Sequence, residues 1–214
     1  MSTSSVPHYG IVVPVKPRGL AKSRLLPLGD QGRRDLVVAF AADTVTAALG
    51  SPLVDVVLVV TDDFVLARGL ATLGAETIPD ATTDDLNISV QQAAAELGRR
   101  WPALRVAAMV ADLPALRSEE LTRVLVAANE HTRCIVADSD GTGTTVLLAA
   151  TADDLLPRFG QGSRDAHLSE GAAELDLADV PTVRRDVDTP ADLAAVLALG
   201  VGSRTSMVTT GLRL

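Results

Sequence analysis

The 214-residue chain is poor in several kinds of residue, and each shortage excludes a class of protein. Aromatic residues make up only 2% of it, which argues against single-strand nucleic-acid sites, because these stack bases on rows of aromatic side chains. A single cysteine, Cys134, excludes an intrachain disulfide framework and a thiolate zinc cluster. It lies in an apolar run and is predicted to be a small core residue. The formal net charge of −8 argues against the broad basic face of a duplex DNA or RNA binder.

Long hydrophobic segments are also missing. The longest apolar runs, at 36–42 and 54–60, are far shorter than the roughly 20 residues that a membrane-spanning helix needs. The chain does not begin with a basic segment followed by an apolar core, so no signal peptide is predicted. We therefore expect a cytoplasmic protein without a membrane or nucleic-acid partner.

Short apolar runs alternate with segments of helical spacing along nearly the whole chain. The predicted strands are 10–15, 54–60, 75–78, 104–110, 133–138 and 144–150. The predicted helices are 30–49, 63–73, 86–99 and 118–130, with further helices starting at Ser163 and at Thr189-Pro190. Continuous Val, Ile and Leu is typical of strands that are buried on both faces, and the alternation predicts an α/β three-layer fold. We expect one domain over 1–214, with loose ends at 1–8 and 203–214.

Lysine is the rarest charged residue in the chain, with two copies against 17 arginines. Both copies, Lys16 and Lys22, lie in one predicted loop after the first strand, close to Arg18 and Arg24. Lysine offers a compact point charge on a flexible stem, which arginine does not. The loop is therefore a candidate site for an anion, with a solvated surface turn as the alternative.

Three aspartates follow predicted strands or extended segments. Asp112 comes just after the strand at 104–110, and Asp186 and Asp188 are spaced so that their carboxylates lie on one face of an extended segment. Carboxylates at strand ends, together with a cationic loop, suggest a magnesium–nucleotide site. The alternatives are an ion pair of Asp186 with a neighbouring arginine, and a capping role for Asp188 ahead of the last predicted helix.

Two glycine-rich segments are candidate anion sites. The first, 141–145, follows a hairpin signal and fails the dinucleotide fingerprint, so it is either a plain turn or a backbone cradle for a phosphate or carboxylate. In the second, 157–163, Gly160 and Gly162 permit close backbone approach to an anion, and Ser163 starts a helix whose N–H groups favour one. An ordinary Pro/Gly loop is the alternative.

Other polar residues give weaker signals. The Asn87 side chain has the donor and acceptor groups that suit a base or ribose edge, or it is a surface residue in the first turn of a helix. The three histidines are dispersed without metal-ligand spacing, so solvated or capping roles are expected, and His167 lies near the second glycine segment.

The segments VKPRGLAKSRL, DDLN, ADLPAL, DGTGTTVLL, PRFGQGSRDAH and DVDTPADL occur in that order. Together they resemble the phosphoenolpyruvate and 2-phospho-L-lactate guanylyltransferases of coenzyme F(420) biosynthesis, over about residues 9–200. The actinobacterial members are the most similar, and they imply phosphoenolpyruvate as the acceptor. The resemblance also implies a GT-A-like nucleotidyltransferase variant of the Rossmann fold, with a mostly parallel mixed sheet.

The implied reaction transfers GMP from GTP to the phosphate of phosphoenolpyruvate and releases pyrophosphate. For this reaction we expect Lys16, Lys22, Arg24 and Asn87 to contact the nucleotide and Asp112, Asp186 and Asp188 to hold Mg²⁺ (two ions expected). The resemblance implies Thr144, Gly160 and Ser163 for the acceptor. Lys16, Lys22 and Asp112 are the expected catalytic residues. A downstream transferase would accept the activated product.

Several alternatives remain on sequence grounds. The acceptor can be 2-phospho-L-lactate or 3-phospho-D-glycerate, or a sugar phosphate or molybdopterin in a related nucleotidyltransferase, and a non-catalytic nucleotide sensor is a further alternative. The family typically has glycine where this chain has Ala111. That alanine is unstrained only if its φ is negative, since a positive φ would cost about 1 kcal/mol.

Overall fold

A computed structural model describes residues 6–15, 29–80 and 85–211. Seven strands form one sheet in the order β3-β2-β1-β4-β6-β5-β7. They are β1 (Tyr9–Pro14), β2 (Val54–Val60), β3 (Glu76–Ile78), β4 (Arg105–Met109), β5 (Arg133–Ala137), β6 (Thr144–Ala149) and β7 (Ala173–Glu174). The six strands predicted from the apolar runs are therefore confirmed, and β7 is an addition.

The helices fill the segments between the strands. They are α1 (Gly29–Leu49), α2 (Phe64–Ala71), α3 (Leu86–Arg100), α4 (Ser118–Ala127), α5 (Ser163–Ser169), α6 (Pro181–Arg184), α7 (Pro190–Leu199) and α8 (Ser203–Gly211), with a 3₁₀ turn at Ala128–Glu130. The predicted start of α7 is confirmed, because Thr189 and Asp192 form a capping box around Pro190. Within the described residues, no helix is both long and apolar enough to cross a membrane.

The sheet is mixed and mostly parallel, as expected. Strands β3, β2, β1 and β4 run parallel, and β7 runs parallel to β5. Strand β6 is antiparallel to both of its neighbours, β4 and β5. Its first residues therefore lie at the sheet edge where β4 ends, and Met109 is paired with Val146. This reversal brings residues that precede β6 next to residues that follow β4.

Both faces of the sheet are buried, which explains the unbroken apolar runs. Along β1, Ile11 and Val13 pack on one side with α1 and α4, while Val12 packs on the other side with α3. All three side chains are fully buried, as is Cys134, whose predicted place in the core is confirmed. Full burial of a Val or Ile side chain stabilises a fold by about 1.5–3 kcal/mol. The three-layer arrangement follows from covering both faces.

The expectation of a loose end at 203–214 is wrong for the described part of that segment. Residues 203–211 form α8, which packs on α1. The Asp43 carboxylate, on α1, accepts hydrogen bonds from the backbone N–H groups of Arg204 (3.2 Å) and Thr205 (2.8 Å). Thr205 itself is completely buried. The start of α8 is thus held by a buried carboxylate from a distant part of the chain. Such a contact produces no periodic pattern of apolar residues from which the helix could be predicted.

Candidate active site

A cavity of about 790 Å³ lies at the sheet edge where β4 ends and β6 begins. Six aspartates line it: Asp112, Asp138, Asp140, Asp186, Asp188 and Asp192. Among the described residues, no lysine or arginine side chain does so. Carboxylates gathered in one cavity repel an anionic ligand, so a phosphate can enter only with cations beside it.

Asp112 is placed by the turn that follows β4. The Val110 N–H donates to the Thr145 carbonyl (3.0 Å), which extends the pairing with β6. The buried Thr44 hydroxyl donates to the Ala111 carbonyl (3.2 Å) and accepts from the Leu113 N–H (3.0 Å), so it fixes the backbone on both sides of Asp112.

Ala111 causes no backbone strain at this turn. Leu156 is the only non-glycine residue with a positive φ in the described parts of the chain, so the φ of Ala111 is not positive. The alanine at this position is therefore accommodated without the cost of about 1 kcal/mol that a positive φ would bring.

Asp186 and Asp188 reach the same place from the segment between α6 and α7. The Val187 N–H, between them, donates to the Asp112 carbonyl (3.2 Å). Carboxylate oxygens of Asp112, Asp186 and Asp188 all lie within 4.8 Å of one another. The structure thus brings together three aspartates that are up to 76 positions apart in the chain.

This segment is anchored from α4 by a buried polar contact that the sequence did not reveal. The Glu120 carboxylate, 5% exposed, accepts hydrogen bonds from the Thr182 N–H (2.8 Å) and hydroxyl (2.7 Å). The same hydroxyl accepts from the Arg117 N–H (3.1 Å). Thr182 lies in α6 and precedes Asp186 by one short turn, so this contact fixes α6 on α4 just before the chain reaches the cavity.

The three carboxylates suit a divalent cation. Hard cations such as Mg²⁺ prefer carboxylate oxygens, together with water and phosphate oxygens. Asp112 and Asp186 are partly buried and Asp188 is exposed, and all three line the cavity. The arrangement can therefore hold a metal ion at the cavity surface.

The hairpin between β5 and β6 also lines the cavity. The Asp138 carboxylate accepts hydrogen bonds from the N–H groups of Thr142 (2.9 Å) and Gly143 (2.8 Å). Those two N–H groups already have an anionic partner, so the turn alternative holds for them rather than the phosphate cradle. Thr144, which follows, is 6% exposed and lines the cavity.

The second glycine segment lines the cavity beside Thr144. Gly160 (φ 134°) and Gly162 (φ 70°) both adopt conformations that side chains other than glycine rarely take. The Ser163 N–H donates to the Gly160 carbonyl (3.1 Å), and the Arg164 N–H donates to the Thr142 carbonyl (3.2 Å). The loop is thus joined to the hairpin, and Thr144, Gly160 and Ser163 meet at one end of the cavity.

His167 was not expected to have a buried role. It is 1% exposed, and its ring contacts both the β6 end and the glycine loop. Burial is the main cause that lowers the pKa of its imidazole from 6.5 to about 4, so the ring is neutral at pH 7. The solvated or capping role expected from the sequence is therefore wrong for this histidine. The available signal was its position one turn after Ser163.

Asn87 lies at the start of α3, and its carboxamide is engaged by the glycine loop. Its Nδ2 donates to the Phe159 carbonyl (3.0 Å), and its Oδ1 accepts from the Phe159 N–H (2.7 Å). The neighbouring Leu86 lines the cavity. The predicted contact of Asn87 with a nucleotide stays a prediction, and the structure gives its side chain the different task of holding the loop backbone.

Lys16, Lys22 and Arg24 lie outside the described residues. The last described residue before them is Val15, whose N–H donates to the Val60 carbonyl (2.9 Å) at the end of β2. The chain therefore leaves β1 at the edge where the parallel strands end. The cations predicted from the sequence follow directly from that point.

Comparison with known proteins agrees with this geometry. The chain matches the family model "Guanylyl transferase CofC like" over residues 9–214. It is 50% identical over 204 residues to a protein of Streptomyces scabiei named phosphoenolpyruvate guanylyltransferase, which covers 93% of this chain and 94% of that protein.

Solved structures with the same fold have lower sequence identity. A putative nucleotide-diphospho-sugar transferase from Desulfovibrio desulfuricans G20 has a TM-score of 0.65 at 19% identity, covering 95% of this chain and 94% of that one. A 4-diphosphocytidyl-2C-methyl-D-erythritol synthase has a TM-score of 0.61 at 14% identity, covering 90% and 99%. These likenesses confirm the α/β nucleotidyltransferase fold. With the full-length match and the close relatives, they establish that this chain belongs to the CofC-like guanylyl transferase family.

Proposed function

We propose that this protein transfers GMP from GTP to phosphoenolpyruvate, forming enolpyruvyl-diphospho-guanosine and pyrophosphate in coenzyme F(420) biosynthesis. The observation that supports this most is the set of three carboxylates within 4.8 Å of one another, beside a cavity end lined by Thr144 and the glycine loop. The relative from Streptomyces scabiei carries the name of the same reaction.

In this reaction a phosphate oxygen of the acceptor attacks the α-phosphorus of GTP. The new bond joins that oxygen to phosphorus, and the bond between the α-phosphorus and the bridging oxygen of pyrophosphate breaks. The attacking phosphate is already ionised, so no general base is needed. The protein then has to position the two substrates and neutralise charge.

We propose Asp112, Asp186 and Asp188 as ligands of two Mg²⁺ ions. When bound, such ions neutralise phosphate charge and stabilise the entering and leaving oxygens. The carboxylates supply the hard oxygen donors that this metal requires. Since all the charged residues of the described cavity wall are aspartates, we expect GTP to bind only together with the metal.

Lys16, Lys22 and Arg24 are proposed to contact the triphosphate. In the sequence they follow the end of β1, and β1 ends at the same edge of the sheet as β4, after which Asp112 lies. A lysine near the leaving pyrophosphate stabilises its developing charge as a flexible point cation. Asn87 is also proposed to contact the nucleotide. Its carboxamide is hydrogen-bonded to the Phe159 backbone here, so it would have to exchange that partner for the nucleotide.

Thr144, Gly160 and Ser163 are proposed to bind the acceptor. The end of the cavity that they form offers a hydroxyl from Thr144, a second hydroxyl from Ser163 and the glycine backbone. A phospho-acid presents a phosphate and a carboxylate, and these neutral donors suit both.

The product is an activated phosphoanhydride, so we propose that it passes to a transferase that joins the phospho-acid to the deazaflavin precursor. Coupled product yield can be compared with both enzymes mixed and with both separated by a dialysis membrane. A lower yield on separation is expected, and equal yields would argue against direct transfer. The cytoplasmic location stays a prediction.

The deciding experiment is pyrophosphate release by the purified protein. GTP and ATP are each tested with Mg²⁺ against phosphoenolpyruvate, both 2-phospholactate enantiomers and 3-phospho-D-glycerate. We expect release only with GTP and phosphoenolpyruvate, and loss of release when EDTA removes the metal. Release with another acceptor would correct the substrate, and no release with any pair would contradict the function.

Two variants test the assignment of Asp112. Asp112→Asn removes one proposed metal ligand and is expected to lower turnover at least about 100-fold, as for other interactions that stabilise transition-state charge. Asp153→Asn is the matched control, because Asp153 is exposed and outside the cavity lining. Equal activity of both variants would contradict the assignment of Asp112.

A further inference from the structure

His167 connects two parts of the acceptor end of the cavity. Its Nε2 accepts a hydrogen bond from the Arg158 backbone N–H (2.9 Å), in the glycine loop. Its Nδ1 lies 3.0 Å from the Thr144 hydroxyl oxygen, at the start of β6. The Phe159 ring packs edge-on against the imidazole, with the ring centres 5.4 Å apart. The side chain is 1% exposed, so protein groups surround it and bulk water does not reach it.

The hydrogen-bond pattern fixes the tautomer of this ring. A backbone N–H can only donate, so Nε2 must be the unprotonated nitrogen and the ring cannot be an imidazolium. A neutral imidazole then carries its hydrogen on Nδ1. The Thr144 oxygen, 3.0 Å away, faces that hydrogen and accepts from it, and the Ser163 backbone carbonyl is a second acceptor for the ring.

The consequence reaches the cavity through the Thr144 hydroxyl. Its own hydrogen cannot point toward Nδ1, because a hydrogen already lies there. Thr144 lines the cavity, so we infer that this hydroxyl hydrogen is directed to the cavity side. A hydroxyl that donates in this direction suits an anionic oxygen and not a cation.

We propose that His167 is a positioning residue for the acceptor: its Nδ1–H holds the Thr144 oxygen, so that the Thr144 hydroxyl is turned to donate to the phospho-acid. The imidazole also holds Arg158 and so fixes where the glycine loop begins. The inference rests on the proposed function for the nature of the ligand, while the tautomer and its contacts are independent of it.

The loop is held from its other side as well. The Asn87 carboxamide pairs with both backbone polar groups of Phe159, the residue after Arg158. Two consecutive loop residues are thus fixed by two side chains, from α3 and from α5. Gly160 follows immediately, so the site of the acceptor is constructed on a backbone that is already held in place.

The first test reads the tautomer without any substrate. Two-bond ¹H–¹⁵N spectra of the histidine side chains are recorded at pH 7, and the His167 signals are assigned by their loss in His167→Gln. We expect a pyridine-type Nε2 and a protonated Nδ1. A ring protonated on Nε2, or one that averages between both tautomers, would overturn the proposal.

The second test is a double-mutant cycle in the pyrophosphate assay. Thr144→Val keeps the side-chain shape and removes the hydroxyl. His167→Gln offers its Oε1 as an acceptor for Arg158 and has no N–H at the position of Nδ1, because its carboxamide lies one bond further from the backbone. We expect Thr144→Val to raise the KM of the phospho-acid by about 10-fold or more, the size of a hydrogen bond to a charged group. His167→Gln should raise it by about 3- to 10-fold, and the double variant no further than Thr144→Val.

Comparing the KM of GTP with the KM of the phospho-acid distinguishes this role from a merely structural one. The KM of GTP should change less than twofold in His167→Gln, and Thr144→Ser should restore the KM of the phospho-acid. His131→Gln, at a histidine outside the cavity lining, serves as the control and should match the unaltered protein. Effects that multiply in the double variant, or an equal rise in both KM values, would overturn the proposal. If the unaltered protein released no pyrophosphate, the proposed function would fail, and the spectra would still test the tautomer.

Discussion

The buried imidazole of His167 should make the stability of this protein depend on pH in a specific window. Burial lowers the pKa of this group from 6.5 to about 4 in the folded chain. As the pH falls, the unfolded chain therefore binds the proton first, which favours unfolding. The contribution of the neutral, buried His167 to the free energy of unfolding is fully present above pH 6.5 and is lost as the pH falls through about 4.

The size of the effect follows from the same two values. One pKa unit corresponds to about 1.4 kcal/mol, so the full loss is about 3 kcal/mol. Between pH 7 and pH 5, linkage gives a loss of about 2 kcal/mol. Protonation would also place a hydrogen between Nε2 and the Arg158 N–H, which removes that hydrogen bond.

The measurement is urea unfolding followed by the fluorescence of Trp101, at fixed ionic strength and in steps from pH 7 to pH 5. The unaltered protein is compared with His167→Gln, so that carboxylate titrations common to both cancel. The difference in unfolding free energy should shrink by about 2 kcal/mol over this range. His131→Gln should follow the unaltered protein. A difference that stays constant with pH would refute a buried, neutral His167.

Two further predictions concern glycines. A side chain at Gly202 would place its Cβ 2.3 Å from the Asp43 Cγ, so Gly202→Ala should disturb the cap of α8 and destabilise the fold by about 2 kcal/mol, which lowers the Tm by about 6 °C. Gly69→Ala, with open space around it, is the control and should leave the Tm unchanged or higher. Gly160 has a φ of 134°, so Gly160→Ala should cost about 1–3 kcal/mol and raise the KM of the phospho-acid more than that of GTP. An unchanged KM ratio would argue against the role of this loop in acceptor binding.

Much of the sheet could be predicted from the sequence, because burial on both faces leaves unbroken apolar runs such as β1 and β2. The sequence also grouped Asp112 with Asp186 and Asp188, but only Asp112 follows a strand end, and the other two arrive from the segment between α6 and α7. Helix α8 could not be predicted in this way. Its docking depends on Asp43, which lies more than 150 positions away in the chain, and on small buried threonines that form no apolar stripe.

The part of the cavity lined by Thr144 and the glycine loop was harder to predict for a similar reason. The Asn87 carboxamide meets Phe159 across 72 positions, and His167 meets Thr144 across 23. Such contacts leave no local pattern, because each partner is set by how distant elements cross in space. The sequence indicated the individual residues and their types, whereas their pairing needed the fold.

The antiparallel direction of β6 has a consequence for how enzymes with this architecture diversify. It places a hairpin and a loop from one continuous stretch, 138–167, at the sheet edge where Asp112, Asp186 and Asp188 arrive from other parts of the chain. If Thr144, Gly160 and Ser163 bind the acceptor as proposed, most of its recognition is encoded in this one stretch, with Asn87 of α3 holding the loop from outside it. Changes within it can exchange one phosphorylated acid for another, while the machinery for the nucleotide stays as it is.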